Sequence, residues 1–170
     1  MEYTNNKPMK NILFALAFLS FILAISCQSE KAKATHYHDF IVLTINKVFD
    51  AVTHTEKVFE QTDTLLVEKQ LINLEFSLNK ALTDLNKTPA YQNDTTLKAA
   101  AEELIFYYQH TVMQHYQNAL TRMKETQSTS KKDMILGLSI FSTYNKEDSL
   151  SAVFEKKLIL FRKKYMKEKK

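Results

Sequence analysis

Apolar residues recur along this chain at alternating steps of four and three, the spacing that gathers side chains on one face of a helix. Ile41, Ile45, Val48, Val52 and Phe59, with Thr55 filling the series, form the first such seam. It predicts a helix from about Thr35 to Gln61. Val67, Leu71, Leu74, Leu78, Leu82 and Leu85 form a second seam, on a helix from about Thr64 to Lys87. Thr62-Asp63-Thr64 precedes it, a cluster whose side-chain oxygens can cap the first free amides. Pro89 sets its end, because the residue before a proline is driven out of helical geometry. A third helix runs from Asp94 or Thr95, either of which can cap it, to about Glu125. Its inward positions are Leu97, Ala101, Leu104, Tyr108, Val112, Ala119 and Met123. Ser128-Thr129-Ser130 interrupts the pattern, and Ser130 with Asp133 resembles a capping box for a last helix reaching Tyr165 or beyond. Leu150, Phe154, Leu158, Phe161 and Tyr165 line that helix. Gly137 and the polar run Asn145 to Ser149 are points at which it can bend, or divide into two.

Helices joined by short connections pack antiparallel to their neighbours. The expected fold class is therefore all-α: an up-down-up-down antiparallel four-helix bundle with a long C-terminal helix, occupying residues 35–170. Composition agrees. The chain of 170 residues has one glycine and two prolines. Tight β-hairpins rely on Gly or Asn at positive φ, and phosphate-cradling loops rely on several glycines. Both are set aside.

The N-terminal stretch has a different character. Met1 to Asn11 is polar and carries Lys7 and Lys10, and Ile12 to Ser26 is apolar without a charge. Its roughly 15 residues fall short of the ~20 that a membrane-spanning helix needs. Cys27 is the only cysteine. Leu23-Ala24-Ile25-Ser26 in front of it resembles the lipobox of bacterial lipoproteins, although Ala24 stands where leucine is more usual. The resemblance implies a signal peptide over 1–26, cut between Ser26 and Cys27, and a diacylglycerol on the Cys27 thiol. Residues 27–34 then read as the lipidated cysteine and a polar tether. Two acyl chains hold a protein stably at about 0.8 kcal/mol per buried methylene, so no further membrane element is required. Gln28, where some lipoproteins retained at the inner membrane carry Asp, points to the outer membrane; the periplasmic or surface face stays open.

Charge adds one feature. Loss of Lys7, Lys10 and Glu2 with the leader leaves 21 of 23 basic and 18 of 19 acidic residues. Between Ser151 and Lys170, Lys156, Lys157, Arg162, Lys163, Lys164, Lys167, Lys169 and Lys170 are opposed only by Glu155 and Glu168. Some of this complements the helix dipole. Arg162, Lys163, Lys164 and Lys167 are the candidate contacts to anionic lipid or lipopolysaccharide phosphates; a solvated tail is the plain alternative. Nucleic acid is not an expected partner outside the cell.

Candidate chemistry is sparse. No Glu is followed three residues later by His, so the di-iron carboxylate motif of helical bundles is absent. His110 and His115 lie about 140° apart round a helix and do not share an ion. Asp50 and His54 are one turn apart, yet two ligands do not make a site. His36 and His38 follow the tether, where they could take a metal or respond to pH. Covalent haem needs a second cysteine. Phe106-Tyr107-Tyr108 and Tyr116 read as core rings with an amphipathic shoulder, or as a binding patch. No serine or lysine has a recognisable nucleophile context. The sequence thus reads as a non-enzymatic envelope lipoprotein, structural or protein-binding, with no metal or cofactor expected. The alternative is a small-ligand or metal carrier using the bundle interior.

The mature chain as a whole resembles a family of small surface lipoproteins of unknown function from spirochaetes and related Gram-negative groups. The likeness lies in Tyr37-His38-Asp39-Phe40-Ile41-Val42, Lys47-Val48 and the connection Pro89 to Thr96 with Asn93-Asp94-Thr95. It continues in Leu97, Ala100 and Phe106-Tyr107-Tyr108, and closes with Phe161-Arg162-Lys163-Lys164-Tyr165. The resemblance implies a four-helix domain on a lipid anchor and supplies no catalytic residues.

Overall fold

A computed structural model describes residues 30–167. The leader, the Ser26–Cys27 cleavage and lipidation site, residues 27–29 and the last three lysine-rich positions lie outside the described residues. Helix α1 spans Glu30–Phe59, α2 Thr64–Lys87, α3 Thr96–Tyr107, α4 Met113–Lys124 and α5 Thr129–Tyr165. A π-helical turn, Tyr108–Val112, joins α3 to α4 without a break, so the described residues form four helical rods. Among the described residues there is no strand. The apolar seams of all four rods merge into one core, in which Ile41, Ile45, Leu74, Leu78, Leu97, Leu104 and Met123 are almost wholly excluded from water.

Helix α2 starts and stops where its sequence predicts. Asp63 is the cap: Oδ1 accepts from the amides of Leu65 at 2.9 Å and Leu66 at 3.2 Å. Thr88 is extended, and Pro89 follows. Two expectations shift. α1 begins at Glu30, so residues 30–34, read as tether, are helical and Ala34 is fully buried. The cap of α5 is Ser128, whose hydroxyl accepts from the Lys131 amide at 3.4 Å, and Ser130 lies inside the helix. α5 then runs as one helix through Gly137 and the 145–149 run. A Cβ on Gly137 would meet open space, so no close packing demands the glycine.

The π turn has a sequence cause. The inward residues Leu97, Ala101, Leu104, Tyr108, Val112, Tyr116, Ala119 and Met123 step by four, three, four, four, four, three and four. Tyr108 to Tyr116 is eight residues where two seam steps would take seven. One residue too many rotates the next turn off the core unless the helix widens locally. It does so here, with the Met113 amide donating to the Tyr108 carbonyl five residues back.

The rods touch at their ends in a specific way. At one end, Tyr91 between α2 and α3 reaches Glu30 at the start of α1 and packs on Tyr165 at the end of α5. At the other, Lys132 near the start of α5 donates to the Thr62 carbonyl between α1 and α2, at 3.2 Å. There too, Lys124 at the end of α4 pairs with Glu68 near the start of α2, at 2.7 Å. Two of the three inter-helix connections use left-handed backbone without glycine. Thr62 has φ 56°, and Gln92 and Asn93 have φ 48° and 62° inside a Tyr91–Asp94 turn. Asn tolerates this region, whereas a β-branched Thr is strained there. Thr62→Gly should therefore raise stability by roughly 0.5–1 kcal/mol, the relieved strain less the added chain entropy of glycine. Urea unfolding of the two proteins measures it, with no change in helix content expected.

Candidate functional site

The end of the molecule nearest Cys27 in sequence is built from four segments. Tyr37 and His38 come from α1, Tyr91 to Asp94 from the α2–α3 connection, Thr96 from α3, and Phe161 to Tyr165 from α5. Five rings form its body: Tyr91–Tyr165 and Phe161–Tyr165 centroids are 5.0 and 4.9 Å apart, and Tyr37 lies 5.4 Å from Phe161. His38 stacks on the Phe161 ring at 6.4 Å. Such aromatic pairs contribute about 0.5–1.5 kcal/mol each beyond the area they bury.

Asp94 is the polar centre. Its Oδ1 accepts from the Thr96 hydroxyl at 2.7 Å and the Thr96 amide at 3.1 Å, which satisfies the first amide of α3 from the residue before its N-cap Thr95. Its Oδ2 accepts from Lys164 Nζ at 2.9 Å and the Tyr165 hydroxyl at 3.0 Å. These donors, the Thr96 hydroxyl foremost and Lys164 next, hold the carboxyl well below the usual carboxylate range. Glu30 closes the end. Its carbonyl accepts from Tyr91 at 2.8 Å, and its carboxylate accepts from Lys33, Gln92 and Tyr91 at 3.0, 3.0 and 3.2 Å. Lys33 and then Gln92 lower its pKa.

The four basic candidates divide here. Arg162 Nε donates to buried His38 Nε2 at 2.8 Å, leaving His38 Nδ1 to donate to Asp39 Oδ1 at 2.8 Å. Lys164 is tied to Asp94 and also lies 4.7 Å from the Tyr165 ring centre. Lys163 and Lys167 are exposed and make no ion pair among the described residues. His36, Asp50, His54 and His110 are exposed, His110 stacking on Phe106 at 5.7 Å. Ser142 approaches His115 Nδ1 at 3.1 Å but donates its proton to the Ser139 carbonyl at 2.7 Å, so His115 is the donor and the serine is not activated. Among the described residues no three His, Cys, Asp or Glu side chains gather as metal ligands.

A second polar cluster lies inside the rods. Tyr116 donates to Glu56 at 2.7 Å, Tyr108 to Glu147 at 2.6 Å and Tyr107 to the Thr143 carbonyl at 2.7 Å. Burial raises the Glu56 pKa, and the nearby Glu147 adds to the rise. Burial first, then the carboxylates, drives both Tyr108 and Tyr116 far above the ordinary phenol value. Of the aromatic run, Phe106 alone is exposed, as the 100° turn per residue demands of one ring in three. The two glutamates escape a reading by polarity, though Glu147 falls between Thr143 and Leu150 at seam spacing, and Glu56 stands next to the buried seam residue Thr55. An open groove of about 320 Å³ between α1 and α2 is lined by Phe40, Leu43, Phe76, Lys47 and Lys80.

No family model, no curated protein and no solved structure matches this chain.

The two carboxylates make opposite contributions at neutral pH. Asp94, with its folded pKa depressed, stabilises the fold above its unfolded value of 3.8, and that stability is lost as pH falls through the folded value. Glu56, with its folded pKa raised, stabilises fully only below 4.5, and the contribution is lost as pH rises through the folded value. At pH 7, Asp94→Asn should therefore lower stability by about 2 kcal/mol, and Glu56→Gln should raise it. Urea titrations repeated from pH 3 to 8 should show the Glu56→Gln advantage vanish towards the acid end.

Proposed function

We propose that this chain is a lipid-anchored, non-enzymatic protein of a bacterial outer membrane, built as an up-down-up-down antiparallel four-helix bundle. In this reading residues 1–26 are a cleaved signal peptide, Cys27 carries the lipid, and the bundle serves as a structural or protein-binding element on the envelope. The likeness to spirochaete-type small surface lipoproteins belongs to the same reading. One observation carries it: the start of α1 and the end of α5 meet. Glu30 stands three residues after Cys27, and through Tyr91 and Asp94 it shares one end of the molecule with Tyr165 and Lys164. A lipid at Cys27 would bring Lys163 and Lys167 to the same membrane surface, giving the chain both an acyl and a basic attachment. The alternating end contacts of the rods support the up-down order. No described helix is long and apolar enough to cross a membrane, and a lipid anchor needs none.

The carrier reading has one observation in its favour, the α1–α2 groove, whose volume is at the lower bound for small-ligand sites of about 300 Å³. Native mass spectrometry of purified protein decides it: a retained ligand or stoichiometric metal promotes the carrier.

Cys27→Ala should leave the leader uncut and the protein without lipid, read by mass spectrometry and membrane fractionation. A variant processed and fractionating as before refutes the anchor. Replacing Lys163 and Lys167 together by Gln should weaken binding of the unlipidated chain to phosphatidylglycerol vesicles about thirtyfold at low salt, at about 1 kcal/mol per lysine. Arg162→Gln should instead lower folding stability, because buried His38 loses its donor.

A further inference from the structure

We infer that the outer face of α2 is a docking surface for the same face of a second copy of this chain, with the two helices running parallel. The inward face of α2 is fully occupied by the shared core. On the opposite side Leu65, Lys69, Ile72 and Phe76 recur at steps of four, three and four, a second heptad seam on the same helix. It faces solvent: Leu65, Ile72 and Phe76 are 76%, 64% and 69% exposed. Single exposed apolar residues are ordinary on protein surfaces. Three large ones in heptad register on one helix match the requirement of a facing helix.

Charge selects the occupant and its direction. Glu68 and Glu75 precede the seam residues Lys69 and Phe76 and flank one side. Asn73 and Lys80 flank the other. In a parallel pair, each flanking residue of the first kind meets the partner's flanking residue five positions on. Glu75 of one copy then faces Lys80 of the other, and two-fold symmetry makes the pair twice. An antiparallel pair would set Glu68 and Glu75 against the partner's own glutamates. Lys69 within the seam is the kind of polar residue that fixes register and oligomer state at a cost in stability. Inside one copy Lys80 also pairs with Asp84 at 3.2 Å and Glu68 with Lys124 at 2.7 Å, both in the open. Asn79 accepts from Gln109 at 2.6 Å, which ends the apolar strip at Phe76.

The strip is short, so the contact is weak in dilute solution and grows with local concentration. Parallel helices also place both Glu30 ends on the same side, the arrangement open to two chains standing on one surface. The parallel sense comes from the charges and does not rest on the anchor. A rival strip on α5, Met134, Leu138 and Phe141, is also exposed, but Gly137, Ser142 and Tyr144 beside it carry no charge that would choose a partner.

The test is thiol cross-linking of the full chain in detergent at high protein concentration, in a Cys27→Ser background so that an introduced thiol is the only one. Lipidation is thereby left to the fractionation experiment, and the two readings fail separately. Leu65→Cys should give a disulfide dimer, because only a parallel pair brings two copies of position 65 together, whereas Phe141→Cys should not. Adding Glu75→Lys should cut the dimer about tenfold, and Lys80→Glu on top should restore it. All four positions are exposed, and an unchanged circular dichroism spectrum verifies the fold. A monomeric Leu65→Cys chain, cross-linking through Phe141→Cys instead, or a dimer indifferent to the charge swap overturns the inference. Sedimentation of the unsubstituted chain should show mass rising from monomer towards dimer with concentration; a monomer throughout also overturns it.

Discussion

Four hydrogen bonds to one carboxylate organise an entire end of this molecule. Asp94 fastens α3 through Thr96 and α5 through Lys164 and Tyr165, and the ring of Tyr165 then has a fixed place against Tyr91. Tyr91 in turn holds the first turn of α1 through Glu30. The Asp94 carboxylate ties the last turn of a 37-residue helix to the connection that holds the first turn of α1, beside the direct Arg162–His38 hydrogen bond between the two helices. The apolar seams bring the rods together, and this junction decides which ends meet.

The two polar clusters differ in kind. At the Asp94 end, donors outnumber the charge they serve, so ionisation is favoured and the contacts are strong. In the interior, Tyr108 donates to Glu147 and Tyr116 to Glu56, a carboxyl that burial would rather keep neutral. Hydrogen bonding offsets part of that cost, and the cluster ties α1, the π turn, α4 and α5 through side chains that must all be placed at once.

Much of the fold was legible because it follows from local rules. Seam spacing located the inward faces of α1 and α2, the Thr62-Asp63-Thr64 cluster marked the start of α2, and Pro89 its end. What was not legible depends on residues far apart in the chain. Glu30 is helical, and it is held by Tyr91 and Gln92, some sixty positions on. The basic run near the C-terminus read as open charge, yet Arg162 and Lys164 are occupied by His38 and Asp94, and no pattern in the sequence pairs them. Ser128 rather than Ser130 caps α5, a choice that adjacent hydroxyl residues leave undecided until the chain direction is known. Glu147 stood at a seam position and was hidden only by its polarity, while Glu56 stood next to the seam residue Thr55.

The widened turn at Tyr108–Val112 has a consequence for how the gene can change. An inserted codon in a packed helix ordinarily swings everything after it by about 100° and turns the core outward. Here the surplus is confined to a single loop of the spiral, and both flanking stretches keep their phase. Loss of one codon within that loop would return the rod to uniform pitch with the same face inward, so this is the place in the third rod where length can vary by one while the interior stays assembled.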